Sequence, residues 1–186
     1  MNNLKNTRCY LAGAIENDIN LGRGWRDQIK DDLSEYGIQW MDPSRKPIAF
    51  GSETPETAAA LKALRSDHKA VKVTEAMSHI RAIDLRMVTI SDWLIAKVNP
   101  NVPTFGTHEE LALTVSQHKP IFVLIEGGID AAPLWWFDML PEGSMFYSLD
   151  DMYARIWQAN SGQKKLVTEL SNYKWMFFDW MGDNGK

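Results

Sequence analysis

"DWLIAKVNPNVPTFGTHEELALTVSQHKPIFVLI" runs from Asp92 to Ile125, and its reading decides the fold. Trp93 to Val98 and Ile121 to Ile125 are nearly all apolar, as strands buried on both faces tend to be. Between them a Gly-Thr step opens a helical segment that carries Glu109 and Glu110 near its start. Working outward, Arg8 to Ala12 reads as a further buried strand ended by Gly13. Trp25, Ile29, Leu33 and Tyr36 fall near helical spacing, with Gly37 as a C-cap, and Ile38 to Met41 is a short second strand. Residues 44–53 read as a loop. Thr54-Pro55-Glu56 has the form of an N-cap with proline at the first helical position, for a helix to about Arg65. A longer helix is expected over Val73 to Ser91. After Ile125, a short helix is expected over Pro133 to Leu140 and a fifth strand over Met145 to Tyr147. Ser148 with Asp151 resembles a capping box for a last helix through about Ala159.

Strands alternating with helices predict an α/β chain: a flavodoxin-like or Rossmann-like three-layer sandwich around a five-stranded, mostly parallel sheet of order 2-1-3-4-5. Ligands of such sheets bind beyond the carboxyl ends of the strands, near the point where strand order reverses. The site is therefore expected after Ala12, Val98 and Ile125. Residues 1–160 form the expected domain, and 161–186 an aromatic extension that packs on it or on a neighbouring subunit.

At 186 residues the chain fits one domain with a sizeable core. A net charge of -4 argues against a protein built to grip a nucleic-acid backbone. Cys9 is the single cysteine, so no disulfide framework forms within the chain, which suits a reducing cytoplasm. The amino-terminal stretch lacks an apolar signal core, and no run approaches the length of a membrane span. Eight tryptophans are many for this length and suggest large pockets or subunit contacts.

Glu110 is the sharpest candidate for chemistry. With the helix starting near Thr107, it falls at about the third helical position, where the macrodipole favours an ionised carboxylate. An ionised carboxylate is what a nucleophile requires. The same residues, Thr107-x-x-Glu110, also spell a plain capping box. Asp92 stands where the long helix meets the third strand; it reads as a ligand contact or as a turn residue, and its position at the start of a strand is the end opposite the expected crevice. Tyr10 lies within strand one as a core tyrosine or a carboxylate partner. Gly13 gives the close backbone approach that ligand loops need, or a simple tight turn. "GRGW" at 22–25 is a fragment of a glycine loop without a P-loop or a complete dinucleotide fingerprint. Arg26 beside it is expected to pair on the surface with Asp27 or Asp31, or to hold an anion. His68, His79, His108 and His118 show no metal-ligand spacing, so neither a metal nor a cofactor is expected.

Taken together, "CYLAGAIE", "GRGWRDQIKDDLSEYGIQWMDP", "IRAIDLRMVTISDWLIAKV" and "PTFGTHEELALTVSQHKPIFVLIEGG" resemble the nucleoside 2-deoxyribosyltransferase family. The likeness is to its short phage and bacterial branch with a Tyr-Leu-Ala-Gly-Pro-Ile start, and it covers roughly residues 8–159 in the same order. The resemblance implies base exchange on a 2'-deoxyribonucleoside or deoxynucleotide through a covalent deoxyribosyl-enzyme intermediate. It implies Glu110 as nucleophile, Asp92 as the carboxylate that contacts the base, and Tyr10 as the residue that orients the nucleophile. Gly13, Ala14, Trp25, Asp84, Gly106 and Thr107, in the same motifs, are the expected substrate contacts. The implied partners are a small nucleoside or nucleotide and a free base, in a homo-oligomer with shared active sites. Two features depart from the family's pattern: Thr104 stands where many members carry an aspartate six residues before the nucleophile, and Ala14 replaces the branch's proline. An N-glycoside hydrolase of (deoxy)nucleotides using the same nucleophile, and a non-catalytic nucleotide-binding module, are the competing expectations.

Overall fold

The computed structural model describes residues 2–16, 18, 20–47, 51, 53–140 and 143–162. Residues 163–186 of the expected aromatic extension lie outside the described residues. Five strands, β1 (Arg8–Gly13), β2 (Gln39–Met41), β3 (Trp93–Val98), β4 (Ile121–Ile125) and β5 (Met145–Phe146), form one sheet of order β2-β1-β3-β4-β5. All neighbouring pairs are parallel, and Tyr10 lies opposite Leu94, which in turn lies opposite Ile121. The expected sheet order is the observed one. The helices are α1 (Arg23–Asp32), α2 (Pro55–Ser66), α3 (Ala70–Ile90), α4 (Phe105–Ser116), α5 (Trp136–Met139) and α6 (Leu149–Ser161).

Side chains alternate across the sheet with the period of two that a pleated strand imposes. Cys9 and Leu11 of β1 face one core, shared with Ile29 of α1 and Met152 and Ile156 of α6. Tyr10 and Ala12 face the other core, with Val88 of α3 and Leu111 of α4. Two apolar layers therefore sandwich the sheet, and Tyr10 brings a hydroxyl into the second one.

Local chemistry explains most boundaries. Thr54 accepts from the Thr57 backbone N–H, and the Thr57 hydroxyl accepts from the Thr54 backbone N–H in return, closing a capping box over α2. Ser148 accepts from the Asp151 N–H at the start of α6. Three expectations needed adjustment. The helix foreseen to Tyr36 stops at Asp32 and continues as a short 3-10 turn, Ser34–Tyr36, before Gly37 takes a left-handed φ of 65°. The helix foreseen over Pro133 to Leu140 shrinks to α5. Most consequentially, α4 begins at Phe105 with Thr104 at the N-cap, one half-turn earlier than the sequence suggested.

Candidate active site

That half-turn disposes of the capping box at Glu110. Thr107 is buried inside α4 rather than capping it, and Glu110 lies in the second turn on the same buried face as Thr107, Leu111 and Thr114. The Tyr10 hydroxyl donates to Glu110 Oε1 at 2.6 Å, joining α4 to the central strand β1 across 100 residues of sequence. The macrodipole argument fails with the cap. Burial disfavours the charged carboxylate and pushes the pKa of Glu110 up to about 8. The Tyr10 hydrogen bond pulls it back, while Asp84 and Glu53 raise it and Arg26 lowers it. The expectation of a carboxylate held ionised at neutral pH by the helix dipole is thereby corrected: Glu110 lies past the first turn, where the dipole acts, and burial favours its neutral form.

Asp84 comes from α3, whose buried face is Ile80, Asp84 and Val88. This helix runs back against the strands and feeds straight into β3 at its amino end, so its earlier turns lie over the carboxyl ends. Asp84 is one turn nearer that rim than Val88, which packs in the same core as Tyr10. Its carboxylate pairs with the Lys46 ammonium, from the loop after β2, in a short buried hydrogen bond. The Lys46 side chain is 2% exposed and also has Glu53 Oε2 at 3.8 Å. Burial raises the pKa of Asp84, with Lys46 and Arg26 opposing it, and burial likewise raises that of Glu53, with Lys46 opposing. Three carboxylates and one ammonium thus share a mostly dry place at the carboxyl rim of the sheet.

Asp92 does not join them. About 9 Å of helix rise separates Asp84 from Ile90, the last residue of α3, and Asp92 lies two residues further on. Its carboxylate accepts from the Arg8 backbone N–H at 2.7 Å and from the Arg8 guanidinium at 3.0 Å, at the amino ends of β1 and β3. Asp92 as a base contact is therefore corrected: it is a strand-end clasp, as its position at the start of β3 implied. Asp84, and not Asp92, lies with Glu110 toward the carboxyl ends of the strands.

The loop after β1 forms the next wall. Gly13 has Trp25 packed against it so closely that a Cβ there would lie 2.7 Å from the indole and 2.8 Å from the Lys97 carbonyl. Arg26 is fully buried, against the surface pairing expected of it. Its guanidinium donates to the carbonyls of Leu11 (3.1 Å), Gly22 (2.9 Å) and Gly13 (3.0 Å), lies 4.4 Å over the Trp25 ring, and sits 3.7 Å from Asp42. Gly22 caps α1 with a left-handed φ of 65°, and a Cβ there would collide with Arg26 and the Ala14 carbonyl. "GRGW" is thus the anchorage that fixes Gly13 and Ala14 beneath the rim. The cation beside it, Arg26, is taken up by backbone carbonyls.

On the opposite wall, Gly106 has open space where a Cβ would project. Glycine weakens a helix by about 0.5–1 kcal/mol relative to alanine, and no packing contact here requires it. The Thr104 hydroxyl, buried beside it, has no hydrogen-bond partner among the described residues. Trp136 is buried against His108, with ring centroids 5.1 Å apart, so it packs in the core. Phe105 is 87% exposed, and Leu134, Trp135 and Phe137 also stand out from the surface on the carboxyl-end side. A groove of about 510 Å³ between β2 and α3 has Lys46, Trp40, Ile83 and Met87 among its walls. None of Tyr10, Asp84 and Glu110 lines it.

Lys46 and Glu53 escaped sequence reading, and Arg26 was given the wrong surroundings. The available signal was topological: β2 borders β1, so its loop reaches the same rim as the loops after β1 and β3. Among the described residues no group of three or more His, Cys, Asp or Glu side chains is placed to hold a metal, and no helix is long and apolar enough to cross a membrane.

No family model matches the chain, and no curated protein matches it in sequence. Among solved structures, it is similar to a 2-desoxiribosyltransferase from Leishmania mexicana, with a TM-score of 0.43 and 15% identity. That alignment covers 64% of this chain and 64% of the other, less than two thirds of either.

Proposed function

We propose that the chain is a deoxyribosyl-transferring enzyme that exchanges the base of a 2'-deoxyribonucleoside or deoxynucleotide, with Glu110 as its nucleophile. The observation that carries this reading is the buried Tyr10–Glu110 pair at 2.6 Å, with Asp84 beside it at the carboxyl end of a parallel sheet. Breaking an N-glycosidic bond builds positive charge at C1', which a carboxylate beneath that carbon stabilises and then captures. The departing base takes a proton at a ring nitrogen, and Asp84 is the acid placed to provide it. Attack by a second base on the same carbon gives exchange with retention. Attack by water gives hydrolysis, so a transferase keeps its site dry, and the burial of Glu110 supports transfer. Tyr10 holds one oxygen of Glu110, leaving the other to attack.

Gly13, Ala14 and Trp25 bound the sugar end, and Gly106, Thr107 and Thr104 bound the opposite side. The apolar rim of Phe105, Leu134, Trp135 and Phe137 supports the view that a second copy of the chain closes the site. Light scattering that finds only monomer in a fully active preparation would contradict this closure. Incubation with deoxynucleosides and deoxynucleoside monophosphates, with and without a second free base, tests the function. New nucleoside establishes transfer, and free sugar with base establishes the N-glycoside hydrolase. No turnover on any of these substrates leaves a binding module. Mass spectrometry of denatured, substrate-quenched protein is expected to find a deoxyribosyl adduct on the peptide that holds Glu110.

A further inference from the structure

We propose that Lys46 is the proton reservoir for the leaving base, passing its proton through Asp84 to the base as the glycosidic bond breaks and recovering it when the second base attacks. This rests on the deoxyribosyl reading above. A buried lysine paired with a carboxylate is poor evidence of a stability device, because such pairs are replaced by apolar side chains at little cost. The place of this one is what matters. The Lys46 side chain is 2% exposed at the rim, bonded to Asp84, with Glu53 at 3.8 Å, while Asp84 and Glu53 both act electrostatically on Glu110. Arg26, the other buried cation among the described residues, is committed to three backbone carbonyls and has no proton to release. An ammonium can give up a proton; a guanidinium does not.

The relay also keeps charge constant in a dry place. Before attack, Glu110 and Asp84 are carboxylates and Lys46 is an ammonium, a net charge of minus one over these three groups. The C1'–N bond then breaks with its electron pair moving onto the base nitrogen, and Glu110 forms its bond to C1'. The Asp84 carboxylate takes a proton from Lys46 as it delivers one to that nitrogen. Glu110 is now a neutral ester, the base leaves neutral, Asp84 is again a carboxylate and Lys46 is an amine. The net charge is still minus one. In the return half, the incoming base loses its N–H proton to Asp84 and thence to Lys46, its nitrogen bonds to C1', and Glu110 departs as a carboxylate. Without Lys46, Asp84 must already hold a proton before the bond breaks; with it, the proton is stored on the ammonium and Asp84 need only pass it on.

Leaving-group dependence tests this. 2'-Deoxyadenosine needs a proton on its base, whereas 4-nitrophenyl 2-deoxyriboside departs as a stable anion and needs none. Lys46→Arg keeps the cation and the pairing but cannot release a proton. It is expected to lower kcat on 2'-deoxyadenosine by about 100-fold or more, while staying within about threefold of wild type on the nitrophenyl substrate. Asp84→Asn should show the same split, and the double variant no further loss on 2'-deoxyadenosine, since both act in one relay. Lys46→Met serves the same comparison if the guanidinium prevents folding. Equal losses on both substrates would make Lys46 a scaffold only, and unchanged turnover of 2'-deoxyadenosine would make it a bystander; either overturns the relay alone. Wild-type protein inert toward both substrates removes the deoxyribosyl reading, and the relay with it.

Discussion

The two ends of the sheet hold two carboxylates that look alike in sequence and differ in every physical respect. At the amino end, Asp92 is 31% exposed, meets Arg8 in solvent, and closes the start of β3 against β1. At the carboxyl end, Glu110 is buried, bonded to a buried phenol and surrounded by like charge. An exposed pair such as Arg8–Asp92 contributes roughly 0–1 kcal/mol and perturbs little around it. A buried carboxylate with two others acting on it is costly to ionise, and reactive groups are commonly found where such costs are tolerated. Charge alone does not mark a functional residue; charge that burial makes expensive does.

The largest effect expected from this contrast is at Glu110. Glu110→Gln should lower base exchange by more than about 1000-fold, read by chromatography of the product nucleosides, since the amide cannot capture C1' as the proposed nucleophile does. Asp84→Asn should follow, with a loss of about 100- to 10,000-fold on natural deoxynucleosides, the span ascribed to general acids. Tyr10→Phe should cost about tenfold at neutral pH and move the acid limb of the kcat/KM profile upward, because the phenol helps hold Glu110 ionised. In the wild type that limb should lie near pH 8, activity rising as Glu110 loses its proton. Asp92→Asn should leave turnover within about threefold and cost at most about 1 kcal/mol in denaturant unfolding. A profound loss of activity in Asp92→Asn would reverse the assignment of the two ends.

Stability sharpens the same comparison. Glu110 keeps its proton in the folded chain up to about pH 8 and loses it near 4.5 in the unfolded chain. Between those values the folded state binds more protons, so its stability falls as pH rises through the window. Glu110→Gln abolishes that slope. The variant should melt higher than wild type at pH 8.5 and close to it at pH 4.5. The upper bound is a few kcal/mol, with about 1.4 kcal/mol per pKa unit, or several degrees in Tm for a chain of this size. Parallel melting curves across pH for the two proteins would show that Glu110 titrates normally and that the site is wetter than its burial implies.

Much of the fold was legible because short-range chemistry wrote it. The apolar runs of β1, β3 and β4 are continuous, Thr54-Pro55 and Ser148 are strong caps, and alternation of strand with helix leaves few sheet orders open. Tyr10 and Glu110 were legible as residues, but their bond was not: it spans β1 and α4, 100 residues apart. The α4 start was misread because Thr107-x-x-Glu110 satisfies a capping pattern that Phe105 and Gly106 pre-empt. Asp92 was misread because motif order promoted a residue that strand direction had already placed at the wrong end. Arg26 and Lys46 were not legible in their roles at all, since nothing in a sequence says which charged side chain will be buried.

The sequence by itself determined the layers, the sheet order and the rim where a ligand belongs, because hydrophobic period and chain direction are local properties. Only the tertiary structure decided which carboxylates meet there. Glu110 is drawn toward Tyr10, Asp84 toward Lys46 and Asp92 toward Arg8, each by a partner distant in the chain. The physical reason is that a pKa and a hydrogen bond depend on distance and dielectric in space, and both are settled only when α3 and α4 come down on the sheet.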